Sequence, residues 1–263
     1  MTQIPNLVNL FSWGNIVVYM LVFTRLTGLI QSAPFLSTIQ APIMTRLWFA
    51  ATIAFIFYPM VKNANAFILP SDMVEFAILL AIEFFIGYLI GFVANLLLEG
   101  VRMAGNILSI QMGTSMSQAL DPATGVQSPE ISTLYIYLTT LVFLMTGAYQ
   151  FLFVILFNSF ESVPMGLLPL FDSNIVTNMI HLFSQIFKIA FGVALPIFSV
   201  LLISDILLGL MSKMMPHMNI YMVAIPVKIY IGLFLIFAFL GATATYLRGM
   251  IEKYIQMLVT LFG

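Results

Sequence analysis

The chain has 263 residues, 62% of them apolar, against 9 basic and 10 acidic residues, so only 7% carry charge. An ordinary soluble domain is about 45–50% apolar and about 25% charged; so few charges cannot keep a surface of this size wet, and with a mean hydropathy of +1.09 the composition excludes a soluble enzyme and points to a membrane-associated, helix-rich chain. A formal net charge of −1 gives no footprint for nucleic acid, and the lack of any cysteine removes disulfides, iron–sulfur clusters and thiolate metal sites.

Met1 to Trp13 has no basic n-region and the first charge is Arg25, so no cleaved leader is expected. Helices are expected at about 9–30, 43–61, 73–110, 131–158, 176–212 and 222–258, because the apolar runs are too long for strands and do not alternate. Two runs are uncharged and long enough for a bilayer, Ile131 to Phe160 and Ile229 to Leu247, since about 20 residues suffice. The other helices carry charge: Glu75 and Glu83 in the third, Lys188 and Asp205 with Pro196 in the fifth, Lys228 near the start of the sixth. A charge at mid-bilayer costs roughly 2.5–3.5 kcal/mol on insertion scales. Glu83, Lys188, Asp205 and Lys228 are therefore expected to need partners from outside the chain. Orienting six conventional spans places Arg46, Arg102 and Lys213 on one side and Lys62, Arg248 and Lys253 on the other. Positive charge is balanced, so the positive-inside rule returns no orientation, and either these spans are wrong or the chain is not a simple up-and-down bundle.

The most informative segment is a small-and-polar stripe. Glu83, Gly87, Gly91, Asn95 and Glu99 recur every fourth residue, and Arg102, Asn106, Ser109 and Gly113 continue at three or four, so they share one helical face. Gly87 and Gly91 form a GxxxG, which lets another backbone approach closely. Next come Gln111, Met112, Gly113, Thr114, Ser115, Met116, Ser117, Gln118, Ala119, Leu120, Asp121 and Pro122, a composition that favours irregular backbone. Such backbone persists at membrane depth only inside protein or beside water. There Ile110, Met112, Met116 and Leu120 are expected to gather into a soft apolar constriction, methionine being flexible enough to yield and close.

Catalytic chemistry is missing. No nucleophile elbow, zincin or dinucleotide motif occurs, and Gly100 and Gly105 have Walker-A spacing but are followed by Asn106-Ile107 where Lys-Ser/Thr is required. Asp205 and Lys213 share a face but lie eight residues apart, about 12 Å along a helix, too far for a direct pair. His181 and His217 stand far apart and are expected to pack or sit at an interface, with no carboxylate grouping that would hold a metal. No catalytic, cofactor-binding or metal-binding residue is expected.

With these residues assembled, the chain resembles the FliR family, the R/T subunit of the flagellar and virulence type III secretion export gate. The resemblance rests on Arg25-x2-Gly28-x5-Pro34-x7-Pro42-x3-Arg46, then Glu83-x3-Gly87-x3-Gly91, Ala104-Gly105, Gly113 and Asp121-Pro122. It continues through Ala194-Leu195-Pro196, Pro216-x2-Asn219 and Pro226-Val-Lys228-x3-Gly232, with His217 where the family usually has Gln. The resemblance implies an all-α fold of membrane-associated helical hairpins, like a P subunit (about 1–165) fused to a Q subunit (about 166–263). It implies assembly with several P and Q subunits, contact with the B subunit and the A subunit nearby. It places the gate in the bacterial inner membrane at the flagellar basal body, with unfolded flagellar proteins in transit and no cofactor. The segment from about 107 to 122, with Gln111 and Gly113 in it, corresponds to the plug of the closed channel. Two other readings compete: a small-solute or ion transporter relaying through Glu83, Lys188 and Asp205, and a membrane scaffold with no conduit.

Overall fold

The computed structural model describes residues 12–34, 42–64, 72–114, 130–163, 173–215 and 220–262, with the single positions 70, 165 and 217. Every regular element among them is helical: α1 (Trp13–Ser32), α2 (Ile43–Ala64), α3 (Met73–Met112), α4 (Glu130–Met145), α5 (Ala148–Ser162), α6 (Ser173–Met214) and α7 (Ile220–Phe262). Their sequences explain this. Leu, Ile, Phe, Ala and Met dominate, and proline lies just before or after helices or inside them, where membrane helices tolerate it. Pro42 directly precedes α2, its carbonyl accepting from the Thr45 amide at 2.9 Å. Pro59, Pro196 and Pro226 lie inside α2, α6 and α7.

Among the described residues five helices, Trp13–Ser32, Ile43–Val61, Met73–Met112, Ile180–Met214 and Met222–Val259, are long and apolar enough to cross a membrane by length and composition. Many large apolar side chains on them face outward, among them Trp48 at 74% exposure and Phe234 at 71%. Lipid or partner protein has to cover such faces.

One expected element is corrected. The uncharged run from Ile131 to Phe160 is not a single straight span, because α4 and α5 meet at a 68° bend. Gly147 at the joint has φ +69 and ψ 15, left-handed backbone that side chains with a Cβ avoid. Thr146 turns its hydroxyl back onto the Val142 and Phe143 carbonyls at 2.9 and 3.1 Å, and its amide also donates to the Val142 carbonyl at 2.9 Å.

The described chain forms two compact units. The first combines residues up to Asn95 with Gly147–Ile180 and the segment from Tyr254; the second holds Leu96–Thr146 and His181–Lys253. In the first unit, α2 runs antiparallel to α1, with the Tyr19 hydroxyl donating to the Ala51 carbonyl at 3.2 Å and Tyr19 meeting Tyr58 edge-on. Phe57 of α2 meets Phe157 of α5 at 6.0 Å between ring centroids, and the Tyr254 hydroxyl donates to the Val93 carbonyl at 2.8 Å. In the second unit, α6 and α7 lie side by side in opposite directions, with Lys188 beside Tyr246 and Asp205 beside Lys228.

Candidate functional site

The small-and-polar stripe of α3 faces protein along most of its length. In the first unit it meets α1, and the two helices run in the same direction. A Cβ on Gly87 would collide with the Arg25 carbonyl, one on Gly28 with the Phe84 carbonyl, and one on Gly91 would come within 2.7 Å of the Leu29 carbonyl. Glycine is needed on both helices because backbone lies against backbone. Ser32 fastens the end of this contact, its hydroxyl donating to the Tyr88 carbonyl at 2.8 Å.

Glu83 opens the stripe in an ion pair with Arg25, 2.5 Å from carboxylate oxygen to Nε, with neither side chain exposed. Arg25 spends its remaining donors on the end of α5. Its Nη1 donates to the Ser159 carbonyl at 3.0 Å and the Ser159 hydroxyl at 3.2 Å, its Nη2 to the Val163 carbonyl at 3.3 Å, and its guanidinium lies 4.1 Å from the Phe160 ring centroid. A buried charge is tolerated only when paired and fully hydrogen-bonded. Each of the three Arg25 side-chain nitrogens has a partner, and the guanidinium places a cation at the C-terminus of α5, where the helix dipole favours it.

The lower half of the stripe belongs to the second unit from Leu96 onward. Asn95 and Glu99 are half-buried, and Glu99 pairs with Arg102 one turn on, at 2.9 Å. Gly100 packs on Ile186 and Ile189 of α6, and Gly105 on Ser132 of α4. The Ser132 hydroxyl donates to the Asn106 side-chain oxygen at 2.7 Å. Ser109 is fully buried, and its hydroxyl is unpaired among the described residues.

The end of α3 corrects the boundary expected from composition: Ile110, Gln111 and Met112 are helical, and irregular backbone begins at Gly113. Gly113 has φ +82, its amide donates to the Ile110 carbonyl at 3.1 Å, and the Thr114 amide reaches back to the Ser109 carbonyl at 3.1 Å. This pair of bonds is a Schellman cap, which needs a left-handed residue after the last helical position. Ile110 is 70% exposed, whereas Met112 is fully buried against α7. A Cβ on Gly232 would come within 2.5 Å of the Met112 sulfur.

A polar ring holds the same turn. Asp205 of α6 pairs through Oδ1 with Lys228 of α7, its Oδ2 accepts from Gln111 Nε2 at 2.7 Å, and Lys228 Nζ donates to the Gln111 carbonyl at 3.4 Å. A cavity of about 600 Å³ opens beside the ring, lined also by Leu208, Gly209, Ser212, Ala224 and Ile225. The expectation that Glu83, Asp205 and Lys228 need partners from outside the chain is thereby corrected, since all three are paired within it. Lys188 is exposed on α6.

Of the other marked positions, Arg46 is half-buried on α2 and lines a smaller cavity of about 240 Å³ with Thr27 and Gln31. Met116, Leu120, Asp121, Pro122, Pro216 and Asn219 lie outside the described residues. Among the described residues no group of three or more side chains could hold a metal ion. The two ion pairs that join different helices, Arg25–Glu83 and Asp205–Lys228, are what residue spacing missed. Single charges of opposite sign on separate apolar helices are the signal that could have found them, because each is too costly there to stay unpaired.

The fold and site define an all-α protein built from helices of membrane-spanning length, joined by close glycine contacts and internal ion pairs. A family profile described as "Bacterial export proteins, family 1" matches residues 16–254. Flagellar biosynthetic protein FliR of Escherichia coli (strain K12) is 29% identical over 257 residues, covering 96% of this chain and 94% of the relative. Flagellar biosynthetic protein FliR of Bacillus subtilis (strain 168) is 26% identical over 249 residues, 93% of this chain and 94% of the relative. Yop proteins translocation protein T of Yersinia pestis is 27% identical over 215 residues, 81% of this chain and 82% of the relative. The chain belongs to the FliR family of bacterial export proteins.

Proposed function

We propose that this chain is a structural, non-enzymatic channel subunit of a flagellar type III protein export gate in the bacterial inner membrane, part of the flagellar basal body. It assembles with P and Q subunits, sits beside the A and B export subunits, and needs no cofactor. Residues 1–165 act as a P-like half and 166–263 as a Q-like half. Unfolded flagellar proteins pass the assembled conduit, and the segment from about 107 to 122 obstructs it at rest.

The observation that carries this reading is the end of α3. A long helix with a polar stripe stops at a Schellman cap on Gly113 and is held there by both a polar ring and the buried Met112. A segment leaving a root held in this way has a defined resting position to which it can return after displacement. The exposed apolar faces, such as those carrying Trp48 and Phe234, give neighbouring subunits and lipid surface to cover. The transporter alternative needs Glu83 and Asp205 as free relay groups, yet both are held in ion pairs.

Co-purification of the tagged chain from its own cells tests the assignment. One copy recovered with several P and Q subunits supports it. Recovery of the chain alone, with solute uptake in vesicles, supports transport instead.

A further inference from the structure

We infer that Asp205 is a positioning residue for the last turn of α3, clamping it to α6 and α7 through a polar ring that has to open during export. The inference rests on the plug reading above and adds to it the bonds that set the resting position.

The ring is closed on every side. Both carboxylate oxygens of Asp205 are engaged, one by Lys228 and one by the Gln111 amide, and Lys228 also reaches the Gln111 carbonyl. That carbonyl is one of the four acceptors a helix end leaves without a partner, and a cation is the favoured group to satisfy it. Gln111 is thus gripped by side chain and backbone at once, while Met112 is seated against Gly232 on the next position.

Comparison with the other ion pair shows why this one can open. Arg25 and Glu83 are completely buried, so parting them would strand two charges without water. Asp205 and Lys228 retain 35% and 18% side-chain exposure beside a cavity of about 600 Å³. Water there can replace each lost bond, so the ring opens at the modest net cost of exchanging hydrogen bonds. The cavity, lined by Gly113, Gly209 and Ser212 among others, also leaves room for the turn to move. One ion pair holds the fold together and the other is built to be broken.

The absence of cysteine makes the test clean, because Gln111→Cys with Asp205→Cys introduces the only two thiols in the chain. In the assembled gate, before cross-linking, this variant should leak ions at rest about tenfold faster than wild type, the population shift expected from losing a charge-assisted bond. Treatment with a short, cleavable bis-thiol reagent should restore tightness and stop export, and cleaving the reagent should restart export. Export at an undiminished rate through the cross-linked gate would overturn the inference. As a second arm, Asp205→Asn should leak while Asp205→Glu stays tight, with P and Q recovered equally from both; equal tightness of the two would also overturn it. A gate shortened only between Gly113 and Asp121, which leaves Gln111 and Met112 in place, separates the two levels. If that gate leaks while Asp205→Asn stays tight, the clamp is wrong and the plug reading stands. If the shortened gate itself stays tight, the plug reading fails.

Discussion

Arg25 and Glu83 stand 58 positions apart and meet at 2.5 Å, with neither side chain reaching solvent. The pair locks α1 to α3, and through the other Arg25 donors it fixes the end of α5. Removing one partner leaves an uncompensated buried charge, a loss of about 3–5 kcal/mol. Glu83→Leu should therefore sharply lower the thermal midpoint of the purified gate, whereas Arg25→Met with Glu83→Leu should recover part of the loss. A single variant as stable as wild type would show that the charges are not confined as described.

The glycine contacts make a second prediction with an internal control. Gly87→Leu should abolish recovery of P and Q subunits, because the Arg25 backbone occupies the space and overfilled contacts cost about 1–3 kcal/mol or more. Gly241 lies inside α7 with nothing within 4 Å of an added Cβ. Gly241→Ala should be neutral, or stabilising by up to about 1 kcal/mol through helix propensity. Pull-down of tagged chains distinguishes the two; wild-type recovery with Gly87→Leu would mean that this face is open.

At the end of α3, Gly113 is required by its φ of +82 rather than by crowding, since the nearest atom to an added Cβ is 3.7 Å away on Ile225. Asn, which tolerates left-handed backbone, should be well accepted; Ala should cost roughly 1–2 kcal/mol, and Val more. Proteolytic nicking just beyond position 113 should rise in the same order. An equal response to Asn and Val would exclude the Schellman cap as the stop signal.

Much of this architecture is legible in the residues. Apolar runs marked the helices to within a few positions, and the four-residue spacing of Glu83, Gly87 and Gly91 identified a buried face of α3. Periodicity names a face but not its partner, so it could not reveal that α1 offers Gly28 and Arg25 to that face. The bend at Gly147 was hidden for a related reason. Thr146 and Gly147 interrupt neither hydropathy nor charge, and only the backbone angle separates α4 from α5. The end of α3 was misplaced by two residues because Gln111 and Met112 have the composition of a loop. Their helical state depends on Asp205, Lys228 and Gly232, all far away in the chain.

The central claim, an export channel sealed by the segment that follows α3, is tested most directly by ion flux through the assembled idle gate after the segment between Asn106 and Asp121 is shortened. The expected result is a complex that still contains P and Q subunits but leaks ions at rest, with growth on salt-shifted medium failing before motility does. A shortened variant that assembles normally, stays tight to ions and merely stops exporting would contradict it, because the segment would then contact substrate rather than form the seal.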